Sequence, residues 1–204
     1  MMRHDDKQAD SGRRTRTRRP PKRITEPYLE RSAVHYLRRY PAPSAHLHQV
    51  LMRRVRRSVA YHGGDLAEEE AKVRKVVAEL CDRGLLDDAF FARARAEELH
   101  RRGSSQRAIR SKLTAKGLSR DLVDDALAAL QESTTDPELV AAIRYATRRR
   151  LGPFAASSDV EQRRSRRQKD LAAMARAGFA FGVCCRVLDA PDPESVEALV
   201  EDRW

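Results

Sequence analysis

Few residues in this sequence have the types and spacing that catalysis or metal binding requires. His46 and His48 lie two apart in a helical pattern and point to different faces, whereas a helical metal pair is spaced by four. Asp87 and Asp88 stand at the start of a helical pattern, where helix capping is their simpler role. We expect the histidines from His35 to His100 to be surface or edge residues. The sequence therefore predicts no catalytic residue, no metal site, no cofactor and no enzymatic activity.

The three cysteines also argue against a chemical site. Cys81, Cys184 and Cys185 are too few for an even disulfide framework, which favours a reducing cytoplasm. Cys81 is spaced from Val77 as a small buried residue of a helix would be. No apolar signal segment precedes the first helical pattern, and no apolar run is long enough to span a membrane. We therefore expect a cytoplasmic protein with neither a membrane segment nor a small-molecule ligand.

Positive charge on helical segments is the feature that remains. The 204 residues include 41 Lys and Arg against 30 Asp and Glu, a formal net charge of +11. A single basic cluster is most simply a solvated helix face, but clusters at equivalent places in successive units would align into a stripe that suits a polyanion or an acidic protein groove. Acidic patches at Glu68–Glu70 and at Glu97 and Glu98 favour a protein partner, or protein and DNA together, over DNA alone. The candidate partner-binding residues are Arg53, Arg54, Arg57, Arg107, Arg110, Lys112, Lys116, Arg163 and Arg167.

The hydrophobic pattern predicts an all-α chain. From Tyr28 onward, apolar residues recur at spacings of three and four, as they do on amphipathic helices. Pro41 and Pro43 separate the first helix from the second, and Ser44 is placed to cap the second. Asp136 followed by proline and glutamate is a strong helix start. The pattern accommodates about nine helices and a short helix at the C-terminus.

An internal repeat relates the later units at a shift of 61 residues, which places Gly117 on Gly178 and Leu127 on Leu188. Gly84, Gly117 and Gly178 each follow a helical pattern and precede an apolar residue. We predict that these glycines are structural caps, because glycine enters the left-handed conformation at low cost.

These patterns predict three tandem three-helix units at 27–85, 86–133 and 134–204, the last with a short C-terminal helix. Units of this kind stack into an elongated, curved modular body. Residues 1–26 contain nine Lys and Arg but hardly any apolar side chain, so we expect a disordered basic arm there.

The stretch from Leu86 to Leu130 resembles the central unit of the RecX regulatory proteins of bacteria. An acid pair, two phenylalanines, a glycine and a Lys-Gly-Leu turn occur there in order. The end of the chain, with Gly178-Phe179 and Val187-Leu188, resembles the last unit of that family. The segments that carry the central resemblance are Leu86–Ala92, Arg101–Gly103, Ile109–Leu113 and Lys116–Leu118.

The resemblance implies three repeats of a three-helix unit, no enzymatic activity, and binding along the groove of the RecA recombinase filament. There, such proteins inhibit or modulate ATP hydrolysis, strand exchange and co-protease activity during homologous recombination, DNA repair and the SOS response. Family members also contact DNA, so single- or double-stranded DNA is a second expected partner. The alternative from the residues alone is a stand-alone basic nucleic-acid-binding helical protein, although no helix has the Asn, Gln and Arg mix that reads base edges.

Overall fold

The computed structural model describes residues 20–155 and 160–201, and within these ranges the chain is helical and contains no strand. The all-α prediction is therefore confirmed. Most of the predicted arm, residues 1–19, lies outside the described residues. The described residues form ten α-helices: α1 (Glu26–Leu37), α2 (Ser44–His62), α3 (Leu66–Asp82), α4 (Asp88–Arg101), α5 (Gln106–Thr114), α6 (Arg120–Ser133), α7 (Pro137–Arg149), α8 (Val160–Arg176), α9 (Phe181–Leu188) and α10 (Pro193–Glu201).

The first three helices enclose one apolar cluster. Thr25 caps α1 by accepting a hydrogen bond from the Tyr28 amide, and Asp65 caps α3 in the same manner. Residues 20–25 lie along the end of α2, where Ser58 Oγ donates to the Lys22 carbonyl at 2.9 Å. Part of the predicted arm of residues 1–26 therefore contacts the first group of helices. The main buried residues of this cluster are Leu29, Leu47, Leu51, Val55, Val73, Val76, Leu80 and Leu86.

The second and third groups of helices enclose separate clusters. Asp87, Ser105 and Ser119 cap the helices of the second group, α4 to α6. The third group, α7 to α9, is completed by α10, which packs on α7 and contributes the buried Val196. The main buried residues are Ile109, Leu113, Val123, Ala126 and Leu130 in the second cluster and Leu139, Ala142, Met174, Cys184 and Val187 in the third.

Two side chains are buried differently from our expectation. Cys81 is exposed, so the prediction that it is a small core residue is wrong; α3 turns Leu80 inward instead. His100 is buried at the end of α4, where Nε2 lies 2.8 Å from the Pro137 carbonyl oxygen, so it is not a surface residue. Burial lowers the pKa of His100. Its hydrogen bond joins the second group of helices to the third.

Candidate functional site

The second helices of the three groups, α2, α5 and α8, meet head to tail. The turn after α8 lies against the start of α5. Ser105 Oγ donates to the Ala177 carbonyl at 2.7 Å, and a Cβ on Gly178 would lie 2.7 Å from Ser105 Oγ. The turn after α5 lies against the start of α2, and a Cβ on Gly117 would lie only 2.6 Å from the Ala45 Cβ. Both contacts need the absence of a side chain. We call these three helices, which follow one another in space in the order α8, α5, α2, the second-helix row.

The glycines at these joints adopt the left-handed conformation, with φ of +87° at Gly117 and +95° at Gly178. Gly84, after α3, has φ of +68°, but a Cβ there would meet nothing within 4 Å. All three therefore terminate helices, whereas the two repeat-related glycines also allow close contact between groups.

An acidic side chain from the following group closes each joint. The Asp88 carboxylate, at the start of α4, accepts hydrogen bonds from the Ser44 amide at 2.7 Å and from Ser44 Oγ at 2.6 Å. Glu138, at the start of α7, likewise accepts from the Gln106 amide at 2.8 Å, and burial raises its pKa. These carboxylates satisfy amides at the starts of α2 and α5.

The prediction that Ser44 caps α2 is wrong. The N-cap is Pro43, which makes no side-chain hydrogen bond, and Ser44 is the first helical residue. The acceptor comes from Asp88, 44 residues further along the chain. A local pattern contains no signal for such a distant contact.

Several of the predicted partner-binding cations are engaged within the chain. Arg110 forms an ion pair with Asp124. Arg167 holds Asp189 with two hydrogen bonds of 2.6 and 2.7 Å, which lower the pKa of that carboxyl. Arg163 donates to the Pro191 carbonyl at 2.6 Å. These side chains brace the loops and helices beside them.

Two further predicted partner-binding cations make weaker polar contacts within the chain. Arg54 lies 3.4 Å from the Tyr28 hydroxyl, and Lys112 lies 3.3 Å from Ser104 Oγ. Both side chains remain exposed. Their charged groups are therefore accessible to a partner.

Four predicted partner-binding residues have neither an ion pair nor a side-chain hydrogen bond with any described residue: Arg53, Arg57, Arg107 and Lys116. The first three are exposed and Lys116 is half-buried. Arg53 of α2 and Lys116, just after α5, both act on His46, whose pKa is lowered first by burial and then by these two charges. The joint between α5 and α2 therefore brings unpaired positive charges from two groups of helices together.

The row also contains exposed cations that our selection omitted. Arg164, Arg166 and Lys169 on α8 are exposed, whereas the selected Arg163 and Arg167 are half-buried and bonded to the loop after α9. Helical spacing alone does not distinguish these two faces, because α8 has basic residues on both.

Neither a metal site nor a membrane segment is found in the described part of the chain. No cluster of three or more His, Cys, Asp or Glu side chains there could hold a metal ion. Over the same residues, no helix has the length and apolar character to cross a membrane.

Comparison with known proteins finds a matching family model and several relatives. A family model described as "RecX, second three-helix domain" matches residues 87–127. "Regulatory protein RecX" of Myxococcus xanthus is 40% identical over 170 residues, which cover 83% of this chain and 89% of that protein. The protein of the same name from Agrobacterium fabrum is 30% identical over 177 residues, or 86% and 89% of the two chains. That from Streptomyces coelicolor is 34% identical over 129 residues, or 61% of each chain. No solved structure matches.

The fold and the second-helix row define a modular all-α protein that presents basic side chains along joined helices. The identity shared with two relatives over more than four-fifths of the chain is more specific: the chain belongs to the RecX family of regulatory proteins. A regulatory role follows from this membership. The matched domain covers α4, α5 and most of α6, the part of the chain that carries the central sequence resemblance.

Proposed function

We propose that this protein binds along the RecA recombinase filament through the second-helix row and inhibits ATP hydrolysis, strand exchange and co-protease activity. The observation that carries the proposal is the head-to-tail contact of α8, α5 and α2, supported by the resemblance to RecX proteins. A filament repeats the same protein surface along its axis, so a partner with repeated, joined units can contact it at several places. We further propose that the units 27–85, 86–133 and 134–204 are those contacting modules and that they act in the cytoplasm.

Repeated contacts give such a protein affinity that no single unit has. When one unit is bound, its neighbours are held close to the filament, and their binding becomes an intramolecular event. The joints at Gly117 and Gly178 limit the relative motion of the groups, so that less conformational entropy is lost on binding. Unpaired cations such as Arg57 and Arg107 would meet carboxylates of the filament.

Inhibition follows if the protein prefers one state of the filament. A ligand that spans neighbouring subunits and binds one of their arrangements more tightly shifts the population toward that arrangement. ATP turnover then falls because the subunits no longer pass freely through the states that turnover requires.

ATP turnover by RecA on single-stranded DNA tests the proposal. We expect the purified full-length protein to depress turnover at amounts equal to or below that of RecA, with a corresponding change in filament length. Unaltered turnover and filament length at a several-fold excess of the protein would refute the proposal.

Direct nucleic-acid binding is a second candidate function, favoured by the exposed, unpaired Arg53, Arg57 and Arg107. A contact made only by charge loses affinity steeply as the salt concentration rises. Sequence-selective duplex binding that persists at moderate salt would instead favour a stand-alone nucleic-acid-binding protein.

A further inference from the structure

A groove of about 720 Å³ lies where the first group of helices meets the second. One wall is the end of α1 and the loop after it, the other is the turn after α3 with one side of α4, and Lys116 also lines the groove. We call it the α1–α4 groove. Its main lining side chains are Tyr36, Tyr40, Leu85, Phe90, Phe91 and Lys116.

The groove concentrates exposed apolar surface. Phe90 is 71% exposed, Tyr40 54% and Leu85 51%, and these are three of the six large hydrophobic residues that are exposed in the described part of the chain. Large apolar side chains grouped around a concave surface mark a binding site, whereas isolated ones do not. Aromatic side chains are also the commonest anchors of protein interfaces.

Charge at the groove favours a carboxylate in the partner. Glu98 is neutralised by ion pairs with Arg95 and Arg102, and Asp87 accepts the Phe90 amide at 2.8 Å. Both acids are therefore occupied, whereas Lys116 has no charged partner among the described residues. An unpaired ammonium beside an apolar groove is complementary to a partner side chain such as Asp or Glu.

The two walls are fixed before any partner binds. Asp88 of α4 holds the Ser44 amide and hydroxyl at the start of α2, directly after the loop that forms the other wall. Gly117 packs on Ala45 beside the same point. A groove with fixed walls loses little entropy on binding.

We propose that the α1–α4 groove receives a protein segment in which apolar side chains flank a carboxylate, and that a RecA subunit provides this segment. This inference rests on the proposed function and deepens it, because it assigns the apolar anchor of the interface. Lys116, which follows α5, lines the groove, so the anchor lies beside the joint between α5 and α2.

The double variant Phe90→Ser/Leu85→Ser of the full-length chain tests the assignment. Both side chains are exposed, so we expect unchanged helicity by circular dichroism. Phe181→Ser is the matched control, because Phe181 is 69% exposed at the start of α9 and does not line the groove. Affinity for RecA filaments preformed on single-stranded DNA is measured by fluorescence anisotropy, and affinity for the same DNA alone is measured in parallel.

We expect the double variant to bind the filament at least tenfold more weakly and the control to bind like the wild type, with DNA affinity equal in all three proteins. If the wild type binds the filament and the double variant binds equally well, the groove assignment is overturned while the proposed function stands. A parallel loss of affinity for DNA alone would show that the aromatic residues stack on bases, which also overturns it. If the wild type itself fails to bind the filament, both the proposed function and the groove assignment fail.

Discussion

Gly103→Ala is expected to destabilise the protein by about 2–4 kcal/mol. Gly103 follows α4 with φ of +70°, and a Cβ there would lie 2.7 Å from the Tyr145 amide nitrogen and 3.0 Å from the Ala141 carbonyl oxygen. Those atoms belong to the backbone of α7, which cannot move aside as a flexible side chain could. The substitution must therefore separate α4 from α7, in addition to straining a left-handed residue.

Gly84→Ala is the matched control for this prediction. Gly84 also follows a helix and has φ of +68°, but a Cβ there would meet nothing within 4 Å. Only the backbone strain applies, so we expect a loss of about 1 kcal/mol. Urea denaturation followed by circular dichroism measures both variants against the wild type. Equal losses would mean that α4 and α7 do not approach as closely as described, and the account of that contact would be wrong.

Reversing unpaired charges on the second-helix row is expected to weaken filament binding about tenfold, or by about 1.4 kcal/mol. The variant Arg57→Glu/Arg107→Glu changes one exposed cation on α2 and one on α5. Arg110 is unsuitable for reversal, because it pairs with Asp124 and a glutamate there would repel that acid. Lys116 belongs to the groove as well, so its reversal would not isolate the effect of charge.

A control with the same change in net charge separates the row from the general field of the protein. Arg31→Glu/Arg93→Glu changes two exposed arginines on α1 and α4, neither of which has an ion pair in the described residues. Filament affinity at near-physiological salt, measured with helicity as a check of folding, should fall for the row variant and stay close to wild type for the control. Equal losses of affinity in both variants would show that binding depends on the net charge of the protein and not on the second-helix row.

The sequence could predict those features that depend on neighbouring residues. Asp87 and Asp136 cap the helices that their positions indicate, because a cap contacts amides only two or three residues ahead. The repeat of Gly117 and Gly178 was recognisable since both glycines end helices in equivalent places. The start of α9 also agrees with the shift of 61 residues, which places Arg120, the first residue of α6, on Phe181. The end does not agree, because α9 stops at Leu188, six residues before the counterpart of Ser133.

The remaining features depend on contacts between residues far apart in the chain. Asp88 replaces Ser44 as the source of the α2 cap across 44 residues, and His100 is buried because Pro137 lies over it. The sequence also did not show which cations form ion pairs or hydrogen bonds within the chain. The acids that engage Arg110 and Arg167 lie 14 and 22 residues away, beyond helical spacing.

Site-specific photo-crosslinking to RecA filaments tests most directly the central claim that the second-helix row lies along the filament. A photoreactive phenylalanine derivative replaces Arg57 on α2, Arg107 on α5 or Arg166 on α8, all of which are exposed, and the exposed Glu132 on α6 serves as the control position. We expect each of the three row positions to form a crosslink with RecA protein and position 132 to form none. Crosslinks from only one of the three helices, or crosslinks to DNA alone, would contradict it.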